Sequence, residues 1–340
     1  METHLRPLTL GEILDRTAQL YRSNFLVFAG IFAVYCGVGL VFNLLLIGVG
    51  VLLKSLHYSA AQIVLINLVA GGFELLILFL LLGAAVAATS RAVAWVNLGE
   101  TATIRGAYAG ILPKLSRFLW LMTITALIVW TPIALLYGTY FGLMAFYVKG
   151  FGTAGAAARQ SIAADPHSVT VLLIASIAFF LLLIPVVIYT ILMSLRYALA
   201  LPACVVENIK ARPALRRSID LSKGSRGRIF VLGLLIGTIK IGFSLFSQMF
   251  LIISIFKQHG QVSPGMNAIS QIIAFFTNTF LGPIYATGIT LFYFDQRVRK
   301  EGFDIEWMMQ AAGMTMPSSE SALPHAPDST TLPEPERVHE

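Results

Sequence analysis

A chain of 340 residues with 57% hydrophobic side chains, only 12% charged ones and a mean hydropathy of +0.78 has too little polar surface to cover a soluble globule. Its formal charge of +7 would suit nucleic acid in a soluble protein, but here the basic residues stand beside apolar runs, where membrane orientation and lipid headgroups account for them, and nucleic acid is set aside as a partner. Two cysteines, Cys36 in an apolar run and Cys204 beside a basic connector, have neither metal-ligand spacing nor an extracellular setting, so no structural disulfide is expected.

At the start of the chain, Thr9 and Glu12 read as a capping box that opens a helix: the threonine hydroxyl accepts from the backbone three residues on, and the glutamate reaches back. Leu10, Ile13, Leu14, Thr17, Leu20 and Tyr21 recur at helical spacing, while Glu12, Asp15, Arg16, Gln19 and Arg22 fall on the other side. Residues 1–24 are therefore expected to hold a cytoplasmic amphipathic helix. Its apolar face either lies at the headgroup layer or packs on neighbouring spans. The apolar run that follows is too long for a cleavable signal and is followed by no A-x-A site.

Six apolar runs come next: 25–53, 63–89, 118–148, 169–195, 229–256 and 268–294. Each exceeds the roughly 20 residues needed to cross about 30 Å of hydrocarbon. The expectation is an all-α polytopic integral membrane protein with six transmembrane helices and a membrane domain over 25–310. Only Lys54, Lys149, Arg159 and Lys257 lie in the alternate connectors, with Lys240 inside a span; every other Lys and Arg lies in the N-terminal segment, the 90–117 and 196–228 connectors or the C-terminal tail. The positive-inside rule then puts both termini in the cytoplasm. The tail from 311 to 340, rich in Pro, Ser, Thr, Glu and Asp, cannot bury enough apolar surface to order itself and is expected to be disordered.

The basic connectors also resemble one another. Glu100, Arg105, Ala107 and Tyr108 align without a gap with Glu207, Arg212, Ala214 and Leu215, and each segment precedes a two-span hairpin. The N-terminal helix, with Asp15-Arg16-Thr17 before Leu20-Tyr21-Arg22, stands in the same place before the first hairpin. This predicts three units of amphipathic helix plus hairpin. Because each unit has an even number of spans, the units run parallel to one another.

Three stretches, LRPLTLGEILDRTAQLYRSNF, PACVVENIKARPALRRSIDLSKG and LFYFDQRVRKEGFDIEWM, together resemble the bacterial integral membrane family named for the glycerophosphoryl diester phosphodiesterase membrane domain, over roughly residues 5 to 310. The resemblance implies a bacterial inner-membrane protein and nothing settled about activity. In relatives, such a domain is joined to a phosphodiesterase domain. Here no long polar region with alternating strands and helices is present to form one, so no enzyme is expected.

Two charges inside spans are the sharpest local signals. A central Glu74 or Lys240 costs a few kcal/mol or more unless it faces protein, water or an opposite charge. The two either pair with each other or settle separately, fixing helix packing or marking an ion path. Asn43, Asn67, Gln248, Gln271 and Asn278 read as inter-helix hydrogen-bond formers, and Pro132, Pro185 and Pro283 as candidate kinks. The charged segment Asp295, Arg297, Arg299, Lys300, Glu301 and Asp304 reads first as a solvated helix end, with pairing to the basic connectors as the other reading. The sequence contains no HExxH, P-loop, GxSxG or GxGxxG fingerprint, and no cofactor or metal is expected.

Three functional classes follow. In the first, the basic surface of Arg212, Arg216, Arg217, Lys223, Arg226 and Arg228 organises anionic membrane lipids or a protein partner, each cation contributing roughly 1 kcal/mol near an anionic surface. In the second, a transporter or channel uses a polar site around Glu74 and Lys240. A lipid-active enzyme, resting on scattered acids such as Glu100, Glu207 and Asp220, ranks last.

Overall fold

The computed structural model describes residues 8–58, 60–97, 99–147, 166–257 and 263–302. The tail expected to be disordered lies outside the described residues. Among those residues there are ten α-helices, one short 3-10 turn (Leu112–Lys114) and no strand. The helices are α1 (Leu10–Ser23), α2 (Phe25–Ser55), α3 (Ala60–Asn97), α4 (Ile104–Ile111), α5 (Leu115–Tyr147), α6 (Pro166–Tyr197), α7 (Ala200–Val206), α8 (Ala211–Ser222), α9 (Arg226–Lys257) and α10 (Pro264–Glu301). Six candidate spans are long and apolar enough to cross a membrane, so the chain is a multi-pass membrane protein. Several helices outrun their apolar cores: the run 63–89 becomes α3 up to Asn97, and 268–294 becomes α10 from Pro264 to Glu301.

Helix α1 begins as its sequence directs. The Thr9 hydroxyl accepts from the Glu12 backbone N–H at 3.3 Å, and the Thr9 N–H donates to the Glu12 carboxylate at 2.7 Å. Asn24 ends it with a backbone bond to the Leu20 carbonyl, and the chain turns there directly into α2. Of the two readings of the apolar face, packing on spans is the one realised: Ile13 and Thr17 are buried, and α1 lies on α10.

The three units match position by position. Counted from the first residue of α1, α4 and α8, the fourth place holds Ile13, Ala107 or Ala214 and the eighth Thr17, Ile111 or Ser218; all six are buried. In the spans that follow, α2, α5 and α9, the fourth place holds Phe28, Phe118 or Ile229 and the seventh Ile31, Leu121 or Leu232, again all buried. One register of inward positions thus recurs three times, in the same direction along the chain. The short helices and the adjoining ends of the spans make up one end of the molecule, the basic end. The opposite ends of the spans form the far end.

Helix α10 is the post of the bundle, packing on α2 and α9 and also meeting α1, α3, α7 and α8. Its last four turns are buried almost without interruption from Ala286 to Gln296. The α5–α6 hairpin packs chiefly on itself and joins the rest through α3, α7, α8 and α9. All three span prolines sit inside continuous helices. Pro132 has no N–H to offer the Ile128 carbonyl one turn back, and the Tyr189 hydroxyl of α6 donates to that oxygen at 3.2 Å. The proline of one span is in this way tied to the other span of its hairpin.

Candidate functional site

At the basic end, α8 shows two faces. Ala214, Ser218, Leu221 and Ser222 turn inward, with the Ser218 hydroxyl donating to the Arg196 carbonyl at 2.8 Å, while Arg212 and Arg216, one turn apart, are exposed. Among the described residues neither Arg212 nor Arg216 forms an ion pair, and Arg105, the repeat partner of Arg212, is likewise exposed. Lys223 is also exposed, and its 3.2 Å pair with the exposed Asp220 adds little in water.

Arg217 and Arg228 do something else. Arg217 lies against the inner wall, its Nε 2.9 Å from Glu207 Oε1 and its Nη2 2.6 Å from Glu301 Oε2. Burial works against its charge, but the hydrogen bonds it donates to the Glu207 and Glu301 carboxylates prevail and raise its pKa. The Tyr293 hydroxyl donates to Glu207 Oε1 at 2.6 Å, and Arg297 reaches Glu301 at 3.3 Å. Glu207 is the hub of a latch between the α7–α8 connector and α10, whereas its repeat partner Glu100 is exposed and joins no ion pair among the described residues. The sequence alignment therefore marks equivalent places that do different work.

A second latch centres on Asp295, whose side chain is 0% exposed. It accepts from the Leu8 N–H at 2.7 Å, from Arg299 Nε at 2.9 Å, from Gln296 at 3.1 Å and from Arg228 Nη1 at 3.3 Å. Arg228 Nη2 and Arg299 Nη2 both donate to the Leu8 carbonyl, so the segment leading into α1 is pinned to α9 and α10. Lys300 donates at 2.7 Å to the carbonyls of Asp220 and Lys223, closing the C-terminal end of α8. The charged end of α10 is thus paired with the connectors, the other of the two readings, although Arg299, Lys300 and Glu301 stay partly exposed; Asp304 lies outside the described residues. Arg226 is half-buried, and its Nε has no hydrogen-bond partner among the described residues.

Of the two readings left open for Glu74 and Lys240, pairing is not the one formed. Glu74 sits on α3, which packs on α2 and α10, and takes a hydrogen bond from the Asn43 amide of α2. Lys240 is exposed on α9 and joins no ion pair among the described residues. Instead, Glu74 opens onto a cavity of about 120 Å³ between α2, α3 and α10. Tyr35, Cys36 and Asn43 line it from α2, Glu74 and Leu78 from α3, and Gln271, Phe275 and Asn278 from α10. Asn43, Gln271 and Asn278, read from the sequence as helix adhesives, are therefore walls of one polar chamber. What joins them is relative depth across three helices, and no spacing within one segment carries that.

No protein-family model, curated protein or solved structure matches this chain. Among the described residues no group of three or more His, Cys, Asp and Glu is arranged to hold a metal ion.

Proposed function

We propose that this chain is a non-catalytic, lipid-organising component of a bacterial inner membrane, with its basic end and both termini in the cytoplasm. The observation that carries the reading is the division of labour on α8. Arg217 is spent on an internal latch, while Arg212 and Arg216 are exposed and without acidic partners among the described residues, and Arg226 follows in the chain where α9 begins. Cations at that level meet the phosphates of an anionic leaflet, and two to three of them contribute roughly 1 kcal/mol each.

The test is native mass spectrometry of protein released in a mild detergent, native against Arg212→Gln/Arg216→Gln. Retention of phosphatidylglycerol or cardiolipin by the native chain, lost in the variant without a change in melting temperature, is the expected result. Equal and unselective lipid retention would reduce these arginines to orientation signals. A bound polypeptide lost in place of lipid would turn the same face into a protein-docking surface and overturn the lipid reading.

A further inference from the structure

The cavity between α2, α3 and α10 is lined by one carboxyl group and by no basic side chain. The hydrogen bond to Glu74 comes from an amide, and neither a lysine nor an arginine lines the chamber. An ionised carboxylate inside a span costs a few kcal/mol or more unless something opposite faces it. The amide groups around it are oriented alike. Asn43 spends its Nδ2 on Glu74, and Asn278 spends its Nδ2 on the Ala274 carbonyl at 2.8 Å, so both leave a carbonyl oxygen as acceptor. With Gln271 and Tyr35 also in the lining, the walls are made of oxygen-bearing side chains with a single carboxyl group among them.

We propose that this cavity binds one alkali-metal cation, admitted from the far end. One carboxylate among neutral oxygens balances a monovalent ion; a divalent ion of the same hardness takes more carboxylates or keeps most of its water. A volume of about 120 Å³ holds an ion together with several waters, so dehydration need only be partial. The chamber is closed toward the basic end. Phe32, one turn beyond Tyr35 and Cys36 on α2, lies so close to Gly282 of α10 that a Cβ there would stand 2.5 Å from its ring. The site is a blind pocket in this structure, which suits a bound ion that ties three helices together or a first docking place for one. Nothing in this inference depends on the lipid reading of the basic end.

The experiment is equilibrium binding of ²²Na⁺ and ⁸⁶Rb⁺ to the full chain in detergent, with choline chloride holding ionic strength constant. The native protein should bind one of the two ions saturably, near one per chain. Glu74→Gln should weaken it by about tenfold or more. Should Glu74→Gln fold poorly, Gln271→Leu and Asn278→Leu serve in its place, each expected to weaken binding while leaving the melting temperature in choline unchanged. Absence of saturable binding of either ion to the native protein overturns the proposal, as does a Glu74→Gln variant that folds and binds equally well. A native chain whose melting temperature responds to pH but to neither ion would make Glu74 a proton site and would also overturn it.

Discussion

At the basic end α2 and α9 each bury one face and α10 is buried on all sides: Phe28 and Ile31, Ile229 and Leu232, and the stretch from Ala286 to Gln296 are covered, while Leu26 and Phe230 stay outside. At the far end the same helices expose Leu45 and Leu52, Phe246 and Phe256, and Ile269 and Ile272. The two ends obey different physics. Lipid tails are as apolar as leucine, so no hydrophobic force draws the far halves together, and van der Waals packing with occasional polar contacts holds them. Near the basic end, buried charges find their opposites, and short helices cross between units and fill the gaps. The molecule is fastened at one end and solvated by lipid at the other, and its polar cavity lies in the looser half, lined by Glu74 and Gln271.

The strongest way to break this contrast is to remove its fastening. Asp295→Ala leaves Arg228 and Arg299 facing each other and the Leu8 N–H unanswered, a loss of about 3–5 kcal/mol for a broken buried pair. Thermal unfolding in mild detergent should show a larger drop than overfilling a core alanine or a helix glycine produces. A melting temperature within a degree or two of the native value would mean that the charged latch is ornamental.

The repeat is sharpened by overfilling two of its equivalent places. Ala107 and Ala214 are both 0% exposed at the fourth position of α4 and α8, so Ala107→Leu and Ala214→Leu should each cost about 1–3 kcal/mol, by similar amounts. A harmless change at one and a damaging change at the other would deny the units a shared register.

A smaller effect compares glycines. Gly282→Ala drives a methyl into the Phe32 ring and should destabilise by about 1–2 kcal/mol, with Phe32→Leu restoring much of it. In the far half, Gly138→Ala meets nothing within 4 Å and should stabilise α5 by roughly 0.5–1 kcal/mol. Opposite signs in the same melting assay confirm the contrast, and equal signs remove it.

Much of this was legible in the residues. The capping box at Thr9 and Glu12, the amphipathic stripe of α1 and six apolar runs are local patterns of the kind that a helix or a bilayer selects directly. The alignment of Arg105 with Arg212 and of Ala107 with Ala214 also depends only on chain order, and it located two short helices that the fold indeed starts in the same register. The cavity was half legible: Glu74 stood out because a charge inside a span is costly, but its neighbours Asn43, Gln271 and Asn278 gave no sign of belonging together.

The sequence by itself determined which segments are helices, which of them cross a membrane and which short helices precede them, because hydropathy, caps and charge act over a few turns of one chain. Only the tertiary structure decided that Asp295 seizes Leu8 and Arg228, that Arg217 turns inward to Glu207 while Arg212 and Arg216 stay outside, and that Glu74 faces Asn43 and a cavity instead of Lys240. Those choices depend on which helix stands beside which and at what height. The position of α10 between α2 and α9 fixed both.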